Sequence, residues 1–172
     1  MARYLVVADQ TATSPELLRG VRALATGDTT AEFVLLVPAT PFQRLFTWDE
    51  RETRRLARER AEIARARLEE IGAKIIAARV GDASPLLAIA DEMREHTGYD
   101  AIIISTFPPG VSRWLRLDLP CRIKRQYSIP VIHVVAQRRP PSRPERRGRK
   151  VSAPSTLDAD MVPTRVRDLR EH

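Results

Sequence analysis

Short, continuous apolar runs alternate along this chain with longer stretches in which apolar residues recur every three or four positions. Tyr4 to Ala8 is too short for a helix, and the polar stretch Asp9-Gln10-Thr11-Ala12-Thr13 turns the chain after it, which predicts a buried strand. Ser14-Pro15-Glu16 then supplies a capping hydroxyl, a proline at the first helical position and an early acid. Leu17, Leu18, Val21, Leu24 and Ala25 follow on one helical face. Phe33 to Val37 predicts a second strand, closed by Pro38, which has no N–H for a sheet ladder. Thr47 and Glu50 have capping-box spacing before a long helix whose inner face is Ala57, Ala61, Ala64, Leu68 and Ile71, with Gly72 as its stop.

The same alternation continues. Lys74 to Val80 predicts strand three, and Gly81-Asp82 a turn. Ser84-Pro85 repeats the cap-and-proline device before a helix with Leu86, Ile89, Ala90 and Met93 facing inward, ended by Gly98. Ala101 to Ile104 is strand four, a short helix is expected from about Pro120 to Tyr127, and Val131 to Val135 is strand five. Alternating strands and helices with almost wholly apolar strands imply an α/β domain. Its parallel sheet is covered on both faces, because right-handed crossovers put helices on either side. No repeat of solenoid type is present.

Composition changes the picture at one end. The 172 residues suit one domain, and the helical and strand periods stop after Ala136. A domain over residues 1–136 and a disordered Arg/Pro-rich tail over 137–172 are expected. The formal net charge of +7 is concentrated there: seven basic residues lie between Arg138 and Lys150 against Glu145 alone. Such a tail offers weak nonspecific nucleic-acid binding through phosphate contacts, although it has no Phe, Tyr or Trp for base stacking; a solubilising or regulatory extension is the other reading. The mixed charges of the long second helix read as a solvated face. Cys121 is the single cysteine, so no disulfide framework is expected. The short apolar run near the start is neither a signal-peptide core nor a membrane span, and a cytoplasmic protein without membrane contact is expected.

With Asp9 ending strand one, a Gly81-Asp82 turn before helix three and a Pro-apolar-apolar last strand, residues 3 to 136 resemble the universal stress protein family. The resemblance implies a doubly wound five-stranded sheet of order 3-2-1-4-5, with a ligand crevice beyond the carboxyl ends of strands one and four. It places Asp9, Val37, Ser105 and Thr106 around that opening. Many family members bind ATP through Gly, two residues, Gly, nine residues, then Gly-Ser or Gly-Thr. The positions matching this pattern here are Ile104, Phe107, Leu117 and Asp118, and none conforms. Asp118, just before Leu119-Pro120, is expected to cap the N–H groups that a phosphate would use.

The segment Ser105 to Arg116 is stiff, aromatic and cationic together. One reading is a remodelled anion site in which Ser105, Thr106 and Ser112 hydroxyls, the Gly110 turn and the Arg113 and Arg116 guanidiniums replace backbone donors. The other is a proline-stiffened loop whose Trp114 and Leu115 plug the crevice while Arg113 or Arg116 pairs with Asp118. Asp9 either contacts a nucleoside, as the resemblance implies, or caps the turn before helix one. Phe42, Phe46 and Trp48 either cover an aromatic ligand or pack a loop or subunit contact. Cys121, beside Arg122 in a first helical turn, is read as a thiolate candidate or a buried inert thiol. His96 and His133 have no ligand-spaced partners and read as structural.

No nucleophile-elbow serine, paired-carboxylate signature or Walker lysine motif occurs, so an enzyme is not expected. The leading expectation is a non-enzymatic accessory or signalling protein of universal stress protein type, acting in the stress response through a protein partner. The alternatives are ATP or AMP binding through the Ser105 to Arg116 loop, and nucleic-acid binding through the tail. A homodimer through the apolar edge Val131 to Val135 is implied by the resemblance.

Overall fold

Each apolar run becomes a strand and each period of three to four a helix in the computed structural model, which describes residues 1–41, 50–116 (the side chains of Arg113 and Arg116 apart) and 118–137. The expected cap at Thr47, the aromatic residues Phe42, Phe46 and Trp48, the Leu117 position and the tail from Arg138 onward lie outside the described residues. The elements are β1 (Arg3–Val7), α1 (Pro15–Gly27), β2 (Glu32–Pro38), α2 (Glu50–Glu70), β3 (Lys74–Gly81), α3 (Pro85–Glu95), β4 (Ala101–Thr106), α4 (Arg113–Arg116), α5 (Leu119–Gln126) and β5 (Val131–Val135). All pairings are parallel and the strand order is β3-β2-β1-β4-β5, as expected. None of the described helices is long and apolar enough to cross a membrane.

Side-chain alternation along the strands divides the core into two layers. Val6, Phe33, Leu35 and Ile103 pack beneath Leu17 and Val21 of α1 and the alanine stripe and Leu68 of α2. Leu5, Val7, Val34, Leu36, Ile102 and Ile104 face the other way, under Ala88 and Ile89 of α3, Trp114, and Leu119 and Ile123 of α5. Small residues on α2 let a highly charged helix lie close to the sheet. The Ser14 hydroxyl accepts from Leu17 N at 3.2 Å and starts α1 as its sequence requires.

Several local expectations are corrected. Gly81 is the last residue of β3, paired with Pro38, and not a turn residue. It is glycine because α3 approaches so closely that an added Cβ would lie 2.5 Å from the Ala88 Cβ. The Ser84 hydroxyl makes no cap bond; instead Asp82 accepts from Ser84 N at 2.7 Å. The buried face of α3 carries Ala88, Ile89 and Glu92, whereas Ala90 is only half-buried. Strand four runs on to Thr106, and a four-residue helix, α4, precedes α5 where the pattern predicts none. A bulge at Ile76 separates the pairs Phe33 with Ile75 and Val34 with Ala77.

Candidate functional site at the β1 and β4 carboxyl ends

The register sets Val7 beside both Leu36 and Ile104, so the segments leaving β1, β2 and β4 emerge side by side. Strand order reverses at β1, which is the position beyond which open parallel sheets hold their ligands. The Asp9 turn is closed by its backbone, with Ala12 N donating to Asp9 O at 3.1 Å and Ser14 N to Thr11 O at 3.0 Å. Thr11 Oγ1 then donates to the Ser105 carbonyl at 3.0 Å, fastening this turn to the end of β4.

Asp9 is 7% exposed, and its carboxylate does not cap the turn. Its Oδ1 accepts from the Arg60 guanidinium of α2 at 2.6 Å. Burial pushes the Asp9 carboxyl above its ordinary range and outweighs the opposing pull of Arg60. Thr40, just past β2, lies near enough to favour the ionised form slightly, but its buried Oγ1 lacks hydrogen-bond geometry to any partner among the described residues. The buried Ser105 Oγ is likewise without a partner. A charge pair and two unsatisfied hydroxyls thus sit on neighbouring segments, a combination that costs stability unless something else supplies the missing bonds.

No family model and no curated protein matches the chain. Among solved structures it is similar to a universal stress protein from Archaeoglobus fulgidus, at 18% identity and a TM-score of 0.51, over 78% of this chain and 93% of that one. It is similar to a universal stress protein family member from Burkholderia pseudomallei at 19% identity and a TM-score of 0.52, over 77% of this chain and 94% of that one. A third match, at 18% identity and a TM-score of 0.51 over 78% and 98% of the two chains, is the Archaeoglobus fulgidus protein in complex with dAMP. The chain has the universal stress protein fold.

Within that fold the segment after β4 departs from a phosphate-binding glycine loop in physical detail. Ile104 is fully buried in the α3 and α5 layer. Pro108-Pro109-Gly110-Val111 forms a tight turn, with Val111 N donating to Pro108 O at 3.1 Å and Gly110 at φ 88°. Proline followed by a residue of positive φ is what this turn demands, so Gly110 serves the bend. Ser112 Oγ accepts from Leu115 N at 3.3 Å and starts α4, and Trp114 is buried in the core layer.

The other expected site residues find different partners. Val37 is wholly buried in the α1 and α2 layer, because β2 continues to Pro38 and alternation turns Val37 inward, away from any opening. Thr106 Oγ1 is 2.8 Å from Nε2 of His133, so its hydroxyl is turned toward β5. Burial lowers the His133 pKa. Asp118 does not cap α5: it adopts the left-handed conformation, φ 52° and ψ 35°, instead of the extended backbone a cap uses. Its carboxylate lies 3.2 Å from the Arg125 guanidinium. The Cys121 thiol is exposed, not buried, and neighbouring Asp118 pushes its pKa up, which disfavours a thiolate.

Two groups of polar residues escaped sequence reasoning. Arg60 lies beside the alanine stripe of α2, as Arg58, Arg65 and Arg67 also do, so no sequence signal separates it from them. On the opposite layer Glu92, 4% exposed, accepts from Arg79 and from the Tyr99 hydroxyl, with His96 Nδ1 at 3.3 Å. Burial and Glu92 push the Tyr99 hydroxyl up, so it stays a donor. Their spacing, in a strand, a helix and a loop, carries no motif.

Proposed function

We propose that this protein is a non-enzymatic accessory protein of universal stress protein type, whose crevice between β1 and β4 holds a small molecule. The observation that carries this reading is the ion pair of buried Asp9 with half-buried Arg60 beside the Thr40 and Ser105 hydroxyls, which lack partners among the described residues, at the strand-order reversal. An adenine nucleotide, ATP or AMP, is the sharper reading, favoured by the dAMP complex of a protein with the same fold. The protein as purified is tested by thermal unfolding with AMP, dAMP or ATP. A ligand at a hundredfold excess over its dissociation constant stabilises the native state by about 2.7 kcal/mol, a shift of several degrees. Loss of the shift in Asp9→Asn and its retention in Arg113→Ala/Arg116→Ala would assign it to the Asp9 side of the crevice. No shift with any of the three removes the nucleotide reading, and steady ATP turnover removes the non-enzymatic one.

The same reading includes a homodimer through β5. That strand is an outer edge of the sheet, and Ile132 and Val135 are 37% and 40% exposed on it. An apolar edge strand is a template for pairing with a second copy. Val134 is a poor probe because it packs toward α1, where a Cβ on Gly20 would lie 3.8 Å from it. Ile132→Lys is expected to give monomers by light scattering; an unchanged dimer places the interface elsewhere.

A further inference from the structure

We propose that the β3 edge of the sheet is a docking site for an extended, acidic segment of a partner protein. It is separate from the crevice and from the β5 edge. Among the described residues β3 is hydrogen-bonded only to β2, which leaves the backbone groups along its outer side to accept another strand. The bulge at Ile76 interrupts the first half of the strand, which confines regular pairing to Ala77 through Gly81.

Over that half lies a groove of about 330 Å³ between β3 and α2, lined by Arg54, Arg58, Ala61, Glu62, Ala78 and Val80. Its floor is hollow because Ala78 stands beside Leu35 in the sheet and Ala61 faces it from the helix. Side chains on one face of an added strand would project into this hollow at every second residue. The rim is cationic. Arg58 makes no ion pair among the described residues, and Arg54 meets only Glu50, whose side chain is 79% exposed, at 3.2 Å. Glu62 is the one acid among the described residues of the lining. A carboxylate on the incoming strand would take charge-assisted bonds from both guanidiniums.

Charge decides between occupants. The chain's own Arg138 to Lys150 segment carries a surplus of six positive charges and would meet like charge here. A second copy paired through β3 would bring Arg54 and Arg58 toward their own duplicates. An acidic strand from another protein meets neither objection.

The test uses the full chain and a fluorescein-labelled peptide of alternating glutamate and valine, followed by fluorescence anisotropy. Binding is expected, with affinity reduced about tenfold or more both by Arg54→Glu/Arg58→Glu and by replacing the peptide's glutamates with glutamine. Because the double variant keeps the basic tail, undiminished binding by it would assign the peptide to the tail and overturn the proposal. So would no binding at all, or equal affinity for the glutamine peptide. Hydrogen exchange supplies an independent readout: the bound peptide is expected to slow exchange within Ala77–Gly81, and slowing confined to other segments would refute strand addition.

Discussion

Glu32 and Asp9 are both buried carboxylates, each with a side chain 8% exposed and each bonded to arginine, but they stand at opposite ends of the sheet. Glu32 opens β2 and meets two cations, Arg3 at 2.9 Å and Lys74 at 2.8 Å, and its pKa lies below the ordinary value. Asp9 follows β1 and meets Arg60, yet burial wins and its pKa is raised. The starting end is finished elsewhere too: Asp28 accepts from Ala2 N at 3.1 Å and Asp100 from Arg3 N at 2.7 Å. Four buried side-chain atoms lack hydrogen-bond partners among the described residues, and three of them, Glu16 Oε2, Thr40 Oγ1 and Ser105 Oγ, belong to segments at the carboxyl ends of the strands. Among the described residues, one end of the sheet closes the fold and the other retains unmet polar demand.

The largest expected effect tests whether the loop over that open end belongs to the core or to the ligand. Trp114 is 7% exposed and packs with the buried face of β4 and α5. Trp114→Ala is expected to cost about 3–5 kcal/mol in urea unfolding, the loss typical of a buried aromatic. A loss below about 1 kcal/mol would mean that the tryptophan contributes little to the core, and the contrast between the two ends would sharpen into a fully open crevice.

How much of this was legible in the sequence differs by length scale. Strands and helices were readable because burial imposes a period on many residues at once, and a misplaced boundary such as Gly81 shifts one element without changing the topology. The site was less legible because each of its side chains is decided by one partner. The hydroxyls of Ser105, Thr106 and Ser112 look alike in a sequence, yet one is unsatisfied, one faces His133 and one caps a helix. Residue type alone points to Asp118 as a cap, and a positive φ overrides that preference. Arg60 reaches Asp9 across 51 positions of sequence, and Arg79, Glu92 and Tyr99 converge from three elements, which no local pattern encodes.

The smallest effect is the most direct comparison of the two ends, because the two carboxylates are expected to respond to pH with opposite sign. A carboxyl whose pKa is raised on folding binds more protons in the native state than in the unfolded one, so its contribution falls as pH rises from the ordinary value of 3.8 through the raised one. Replacing it by Asp9→Asn removes that penalty, and the stability of the variant relative to the parent is expected to climb with pH. Glu32 runs the other way: its contribution is fully present above the ordinary value of 4.5 and is lost as pH falls through the lowered one. Glu32→Gln is therefore expected to be weakest relative to the parent near neutrality and to approach it in acid. Thermal midpoints of the three proteins between about pH 3 and pH 7 give both slopes, since that window spans the carboxylate titrations. Parallel slopes would show that Arg60 neutralises Asp9 as fully as Arg3 and Lys74 neutralise Glu32, and the two ends would then differ in shape alone.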